Sequence, residues 1–307
     1  MSVRHFLDVV DLTPEELVEV LDLAERPVDD LGRPLAGQGM ALIFEKLSNR
    51  TRQSMEMAVF QLGGHPVFTR NDEIRFDERE TVEDVTRILA GYHAMLGARV
   101  YRHSVVERMA ACSSVPVVNM LSDRSHPLQA LADVLTMQQE LGPLGGRTVA
   151  WIGDYNNVTR SLAEAAAYLR MHLRLGCPSG YDASSEELER LVGLGAASVQ
   201  QFLRPAEAAK GADAVHTDVW VSMGQEDDAD ARRRAFEGFT VDEVVMAQAE
   251  PGALFLHCLP AHRGEEVSAA VIDGPRSRVF RQGHNRLHSA RGLLAFLARR
   301  TGSEEAR

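Results

Sequence analysis

The chain has 307 residues, 45% hydrophobic and 25% charged, which excludes a disordered or fibrous class and suits two buried cores better than one. Its formal net charge of -11 excludes the basic face that sequence-independent nucleic-acid binding requires, so no nucleic-acid partner is expected. Lys46 and Lys210 are the only lysines, so an anion site would have to be assembled from arginine. No apolar run approaches the roughly 20 residues of a membrane span, and the first residues lack a basic stretch followed by an apolar one. Cys112, Cys177 and Cys258 lie far apart without CxxC spacing and read as reduced thiols, not a disulfide framework or a zinc site. The expectation is a soluble cytoplasmic protein.

Thr13-Pro14-Glu15-Glu16 is a capping box with proline at the first helical position, predicting a helix to about Glu25. Met40–Phe44 predicts a buried strand, Ser48–Leu62 a helix closed by Gly63-Gly64, and His65–Phe68 a strand. A helix over Thr81–Tyr92 follows, then strands at Ala98–Tyr101 and Val115–Asn119. Ser125–Leu141 predicts one long helix. After it, strands at Thr148–Ile152, His172–Gly176, Ser198–Phe202, Ala214–Thr217 and Leu254–His257 alternate with helical stretches, and a last helix spans about Asn285–Arg299. Short apolar runs alternating with helices predict parallel sheets covered on both faces. Two such series joined by one helix predict an α/β protein of two doubly wound domains with a cleft between them, the boundary falling near residues 130–145.

Several motifs fall where strands end or helices begin. In Phe44-Glu45-Lys46-Leu47-Ser48-Asn49-Arg50-Thr51-Arg52 a strand enters a polar turn at a helix start, where free N–H groups favour an anion and a guanidinium can clamp phosphate oxygens. An ordinary N-cap with solvent-facing arginines has the same appearance. His126 and Gln129 share one face of a helix start and could polarise a carbonyl oxygen; His126 could equally be a structural cap. Gly153-Asp154-Tyr155-Asn156-Asn157 occupies a dinucleotide-loop position but lacks GxGxxG, which argues against a nicotinamide enzyme. Its asparagines suit a polar small molecule or an Asx turn. Asp218 could hold an ammonium group or cap a helix, and Cys258 ends a strand as a cleft thiol or a small buried hydrophobe. Arg286, opening the last helix, could reach an anion or solvent.

Singly these motifs are weak. In order, FEKxSxRTRxS, HPxQALAD, GDxNNV, TDVWVSMGQE, HCLPAHRGEEV and NRLH strongly resemble the ornithine carbamoyltransferases over nearly the whole chain. The resemblance implies a carbamoyl-phosphate domain at 1–134 completed by a final helix at about 286–302, and an ornithine domain at 135–285. It implies that Ser48, Asn49, Arg50 and Thr51 hold the phosphate and that Arg102, His126 and Gln129 contact the carbamoyl group. Asn157, Asp218, Ser222 and Met223 would bind ornithine, and Cys258, Leu259 and Arg286 would complete the donor and reaction site. Arg102, His126, Gln129, Cys258 and Arg286 are the expected catalytic set. No metal and no cofactor are implied, and the assembly would be a homotrimer or a multiple of trimers serving arginine biosynthesis.

Three departures stand out. Asn49 replaces the family's usual Thr, and His284 replaces a common Glu beside Arg286, which would loosen that arginine. The segment Ile74–Glu80 is net acidic, which would weaken donor binding. Two other readings follow from these: a paralogue acting on a different amine, or a non-catalytic homologue. Retention of Asp218 and Ser222-Met223-Gly224 favours ornithine, and retention of the catalytic set argues against a dead site. Aspartate is disfavoured because HCLP replaces that relative's proline-leucine motif.

Overall fold

The computed structural model describes residues 3–222 and 226–305. They divide into two compact units, one running to Ala132 and resuming at His284, the other spanning Asp133–Gly283.

The first unit opens with α1 (Pro14–Glu25). The expected capping box is present: Thr13 Oγ1 accepts the Glu16 N–H at 3.2 Å and Glu16 Oε2 accepts the Thr13 N–H at 2.9 Å. Then come β1 (Gly39–Phe44), α2 (Asn49–Gln61), β2 (His65–Arg70), α3 (Asn71–Ile74), α4 (Val82–Ala90), β3 (Met95–Arg99), α5 (His103–Cys112), β4 (Val117–Leu121) and α6 (Pro127–Leu141). The four strands pair in parallel in the order β2-β1-β3-β4. One face is covered by Val105, Val106 and Met109 of α5 and by Val82 and Val85 of α4, packed on Ala41, Ile43, Leu96 and Ala98. Strand β3 begins at Met95, three residues before the sequence-based expectation, and α5 has no counterpart in that reading. Gly97 concealed the strand: a Cβ there would approach Met40, Leu42 and Met120 at 3.1–3.2 Å, so glycine lets these side chains fill the sheet face.

The second unit contains β5 (Thr148–Ile152), α7 (Asn157–Tyr168), β6 (His172–Gly176), α8 (Ser185–Leu194), β7 (Ser198–Phe202), α9 (Pro205–Ala209), β8 (Ala214–Thr217), α10 (Ala229–Ala235), α11 (Glu243–Met246), β9 (Leu254–His257), α12 (Ala269–Ile272) and the start of α13 (Val279–Glu305). Its strands are parallel in the order β7-β6-β5-β8-β9. The order reverses beside β5, so the loops after β5 and β8 diverge above the sheet, the usual place for a ligand in an open α/β sheet. Ile152, Val215, Phe255, Trp220 and Phe236 form much of its core.

Helix α6 carries the chain out of the first unit, and α13 brings it back at His284. Within the first unit, α13 lies directly on α1. A Cβ on Gly292 would meet the Val20 carbonyl at 2.6 Å and the Ala24 nitrogen at 2.7 Å. The neighbouring Arg291 donates to the carbonyls of Ala24 and Arg26 at 3.0 and 3.1 Å, capping the end of α1. Among the described residues, no helix is long and apolar enough to cross a membrane.

Candidate active site

In the first unit, β1 ends at Phe44 and the polar turn leads into α2, with Ser48 as N-cap. Ser48 Oγ accepts the Thr51 N–H at 3.4 Å and donates to Thr51 Oγ1 at 3.2 Å. Asn49 and Arg50 occupy the first two positions of α2 and face solvent, at the end where backbone N–H groups and the helix dipole attract an anion. Thr51 is buried, and its hydroxyl accepts from Arg99 Nη1 at 3.2 Å and Arg286 Nη2 at 3.0 Å. Arg286 Nη1 donates to Gln129 Oε1 at 2.6 Å. His126 is buried alongside; burial and then the charges of Arg286, Arg99, Lys46 and Arg50 hold its imidazole well below the usual histidine range. Ser125, just before it, donates to Asp8 Oδ1 at 2.8 Å and fixes the turn that opens α6.

The unit thus gathers Ser48, Thr51, His126, Gln129 and Arg286. Arg102 stands apart from this buried set. It is the exposed N-cap of α5, and the groups its charge acts on are Glu45 and Asp77. Arg99, the last residue of β3, is buried in the cluster.

The departures resolve differently. His284 is exposed, and Arg286 is held by Gln129 and Thr51 without it. In the acidic segment, Asp77 is gripped by Arg108 at 2.7 and 3.0 Å, and the same guanidinium holds Glu83 of α4 at 2.7 and 2.6 Å, keeping both carboxyls below the usual range. Part of that acidity is therefore balanced by an arginine of α5.

In the second unit, Asp218 follows β8 and is buried. Its Oδ1 accepts the Val219 N–H at 2.8 Å and the Cys258 thiol at 2.9 Å; its Oδ2 accepts from Asn156 Nδ2 at 3.3 Å. Asn156 also caps α7, accepting from the N–H groups of Val158 and Thr159 at 2.9 and 3.1 Å. Asn157 is the first residue of α7 and, like Ser222, is partly exposed. Met223 lies outside the described residues. Leu259 follows Cys258 with φ of 57°, the left-handed region, and precedes a cis proline.

Sequence reasoning missed Arg232 of α10, which carried no motif. It is buried, donates through Nε to the Trp220 carbonyl at 2.6 Å, pairs with Asp154 through Nη2, and lies over the rings of Tyr181 and Phe236. Burial pushes the Asp154 carboxyl up against the opposing pull of Arg232. Arg232 thereby ties the segment after β8 to the loop after β5.

Metal-ligand chemistry is present in outline, since donor atoms of Asp218, His257 and Cys258 lie within 4.8 Å of one another. In this arrangement the Cys258 thiol is bonded to Asp218 and the His257 ring to Leu259.

Residues 4–139 match the carbamoyl-P binding domain, and residues 145–297 the Asp/Orn binding domain, of aspartate/ornithine carbamoyltransferase. The chain belongs to this family. The ornithine carbamoyltransferase of Acidothermus cellulolyticus is 46% identical over 301 residues, 96% of each protein. The solved structure of ornithine carbamoyltransferase from Thermus thermophilus matches with a TM-score of 0.88 at 43% identity, covering 97% of this chain and 99% of that one. That of Pyrococcus furiosus matches with a TM-score of 0.90 at 39% identity, covering 96% and 97%.

Proposed function

We propose that this protein transfers the carbamoyl group of carbamoyl phosphate to the δ-amine of L-ornithine, giving L-citrulline and phosphate. The observation that carries this reading is the buried set of Thr51, Arg99, His126, Gln129 and Arg286 beside the N-terminus of α2. A helix end and fixed guanidinium donors suit a phosphate next to a carbonyl that becomes an oxyanion. The resemblance of both halves to ornithine enzymes supports the acceptor.

In this reading the donor unit, residues 1–134 with the helix at about 286–302, holds carbamoyl phosphate. Ser48, Asn49, Arg50 and Thr51 take the phosphate. Arg102, His126 and Gln129 face the carbamoyl oxygen, with Arg286 spanning the two groups and Cys258 and Leu259 completing the reaction site. Arg99 supports this set through its bond to Thr51 Oγ1. Residues 135–285 hold ornithine, with Asp218 receiving its α-ammonium group and Asn157, Ser222 and Met223 completing recognition.

The neutral δ-nitrogen attacks the carbonyl carbon, so a C–N bond forms and the carbonyl electrons move to oxygen. Guanidinium and imidazole donors stabilise that oxyanion, and His126, held neutral, still offers one N–H. The tetrahedral species collapses, the C–O bond to phosphate breaks, and the nitrogen sheds a proton. Positioning supplies much of the acceleration, since two bound reactants no longer need to find each other. The ornithine amine must be neutral to attack, so turnover rises from neutral to alkaline pH.

The cytoplasm, arginine biosynthesis and a homotrimer, or a multiple of trimers, belong to the same proposal. Met57 and Phe60 on α2, Ile88 on α4 and the following Tyr92 are apolar side chains 42%, 65%, 53% and 72% exposed, which supports a subunit contact on this unit. Light scattering on the purified protein tests the assembly.

The deciding experiment is citrulline formation from carbamoyl phosphate with ornithine, lysine, putrescine and N-acetylornithine offered in parallel. Turnover with ornithine alone supports the reading. Turnover with another amine alone overturns the acceptor, and silence with every amine overturns the activity.

A further inference from the structure

Beneath the Cys258–Leu259 turn lies a pair of buried ionisable groups that the reaction scheme leaves unused. His257, the last residue of β9, is 1% exposed, and Glu266 is 0% exposed. The Leu259 N–H donates to His257 Nδ1 at 2.9 Å, and His257 Nε2 is 3.1 Å from Glu266 Oε1. That oxygen also accepts the His262 N–H at 2.6 Å. A backbone N–H can only donate, so Nδ1 is the acceptor and the ring proton sits on Nε2, facing Glu266. The His257 backbone is fixed in turn, its N–H donating to Gln282 Oε1 at 2.9 Å.

The bond from Leu259 matters because of the backbone it holds. Leu259 has φ of 57°, a conformation leucine adopts only when its surroundings impose it. The same turn presents the Cys258 thiol to Asp218 Oδ1 at 2.9 Å. If the ring proton moved to Nδ1, two N–H groups would face each other and the turn would lose its hold.

We propose that Glu266 and His257 are positioning residues for carbamoyl transfer, with Glu266 fixing the His257 tautomer so that Nδ1 stays an acceptor for Leu259 and the Cys258–Leu259 turn stays in register with Asp218. This rests on the functional reading above. It also separates the two adjacent glutamates of the HRGEEV segment: Glu265 pairs with Arg233 at 3.3 Å near the surface, whereas Glu266 is spent entirely inside.

The test compares paired variants of the full chain. His257→Asn keeps a side-chain acceptor where Nδ1 stood, and His257→Gln does not. Glu266→Gln keeps an acceptor for the ring, and Glu266→Ala does not. Readouts are kcat, KM for each substrate, thermal unfolding, and the alkylation rate of Cys258 by iodoacetamide, followed on its peptide by mass spectrometry. His257→Gln and Glu266→Ala should lower kcat by about 10-fold or more, with KM for ornithine held within about 3-fold, because a slightly misplaced site loses turnover steeply. Both should also shift the Cys258 alkylation rate, and His257→Asn and Glu266→Gln should recover most of each loss. Equal losses within each pair, or losses that merely follow the folded fraction, would overturn the proposal. If the wild-type protein forms no citrulline, the functional reading fails, while the Cys258 alkylation rates still decide whether the tautomer lock holds the turn.

Discussion

Arg286 donates to Gln129 Oε1 at 2.6 Å across 157 positions of sequence, and its other terminal nitrogen reaches Thr51 Oγ1 at 3.0 Å. One guanidinium from the returning helix thus organises the amide that opens α6 and the hydroxyl that opens α2. All three side chains are buried, so each group removed takes from its partners a bond that bulk water does not readily replace.

This linkage predicts non-additive kinetics. Gln129→Ala and Arg286→Gln should each lower kcat/KM by about 100-fold or more, as loss of a fixed oxyanion donor does. The double variant should fall well short of the product, with a coupling energy of about 1–3 kcal/mol in a double-mutant cycle. Independent, fully additive effects would mean that the two side chains act separately.

His126 predicts a pH dependence of stability. Its folded-state pKa lies well below 6.5, so in the window beneath 6.5 the unfolded chain binds a proton that the folded chain refuses. The stability this contributes is present above that pH and is lost as pH falls through the window, by at most about 1.4 kcal/mol per pH unit. His5, His93, His103 and His288 are shifted in the same direction by burial, so the comparison must be with a single variant. Urea unfolding of wild type and His126→Asn between pH 5 and 8 should show a shallower acid loss in the variant.

Arg232 predicts a specific failure of acceptor binding. Arg232→Gln should raise KM for ornithine by about 10-fold, with a smaller change in KM for carbamoyl phosphate, because the donated bond to Trp220 and the pairing with Asp154 are both lost. Arg232→Lys should rescue little, since an ammonium lacks the planar fork that serves both partners at once. Full rescue by lysine would show that charge alone suffices.

Gly292 predicts a packing failure remote from the chemistry. A methyl at this position meets backbone atoms of α1 at 2.6–2.9 Å, which cannot swing aside as side chains do. Gly292→Ala should lower stability by about 1–3 kcal/mol, the usual cost of overpacking, despite alanine's better helix propensity. Because α13 carries Arg286, kcat should fall along with the midpoint of thermal unfolding.

The local parts of this protein were legible before any tertiary contact was known. The capping box at Thr13, the strands at Thr148–Ile152 and His172–Gly176, and the Ser48 cap all follow from periodicity and capping chemistry that act within a few residues. The motif order pointed to carbamoyl transfer, and Ser48, Thr51, His126, Gln129 and Arg286 do gather in one unit. What the sequence could not determine depended on distance. Gly97 breaks the apolar signal of β3 only because side chains from neighbouring strands fill its space, so β3 begins three residues before the sequence-based expectation and the burial of Arg99 at its end has no local signature. Arg232 and the buried Glu266 carry no local signature, since a charged residue in sequence is ordinarily solvated. Their roles are set by partners 78 and 9 positions away, brought together by the sheet. Sequence chose the elements and the kinds of chemistry; the strand ends and long-range hydrogen bonds chose which charged side chains are buried and what holds them.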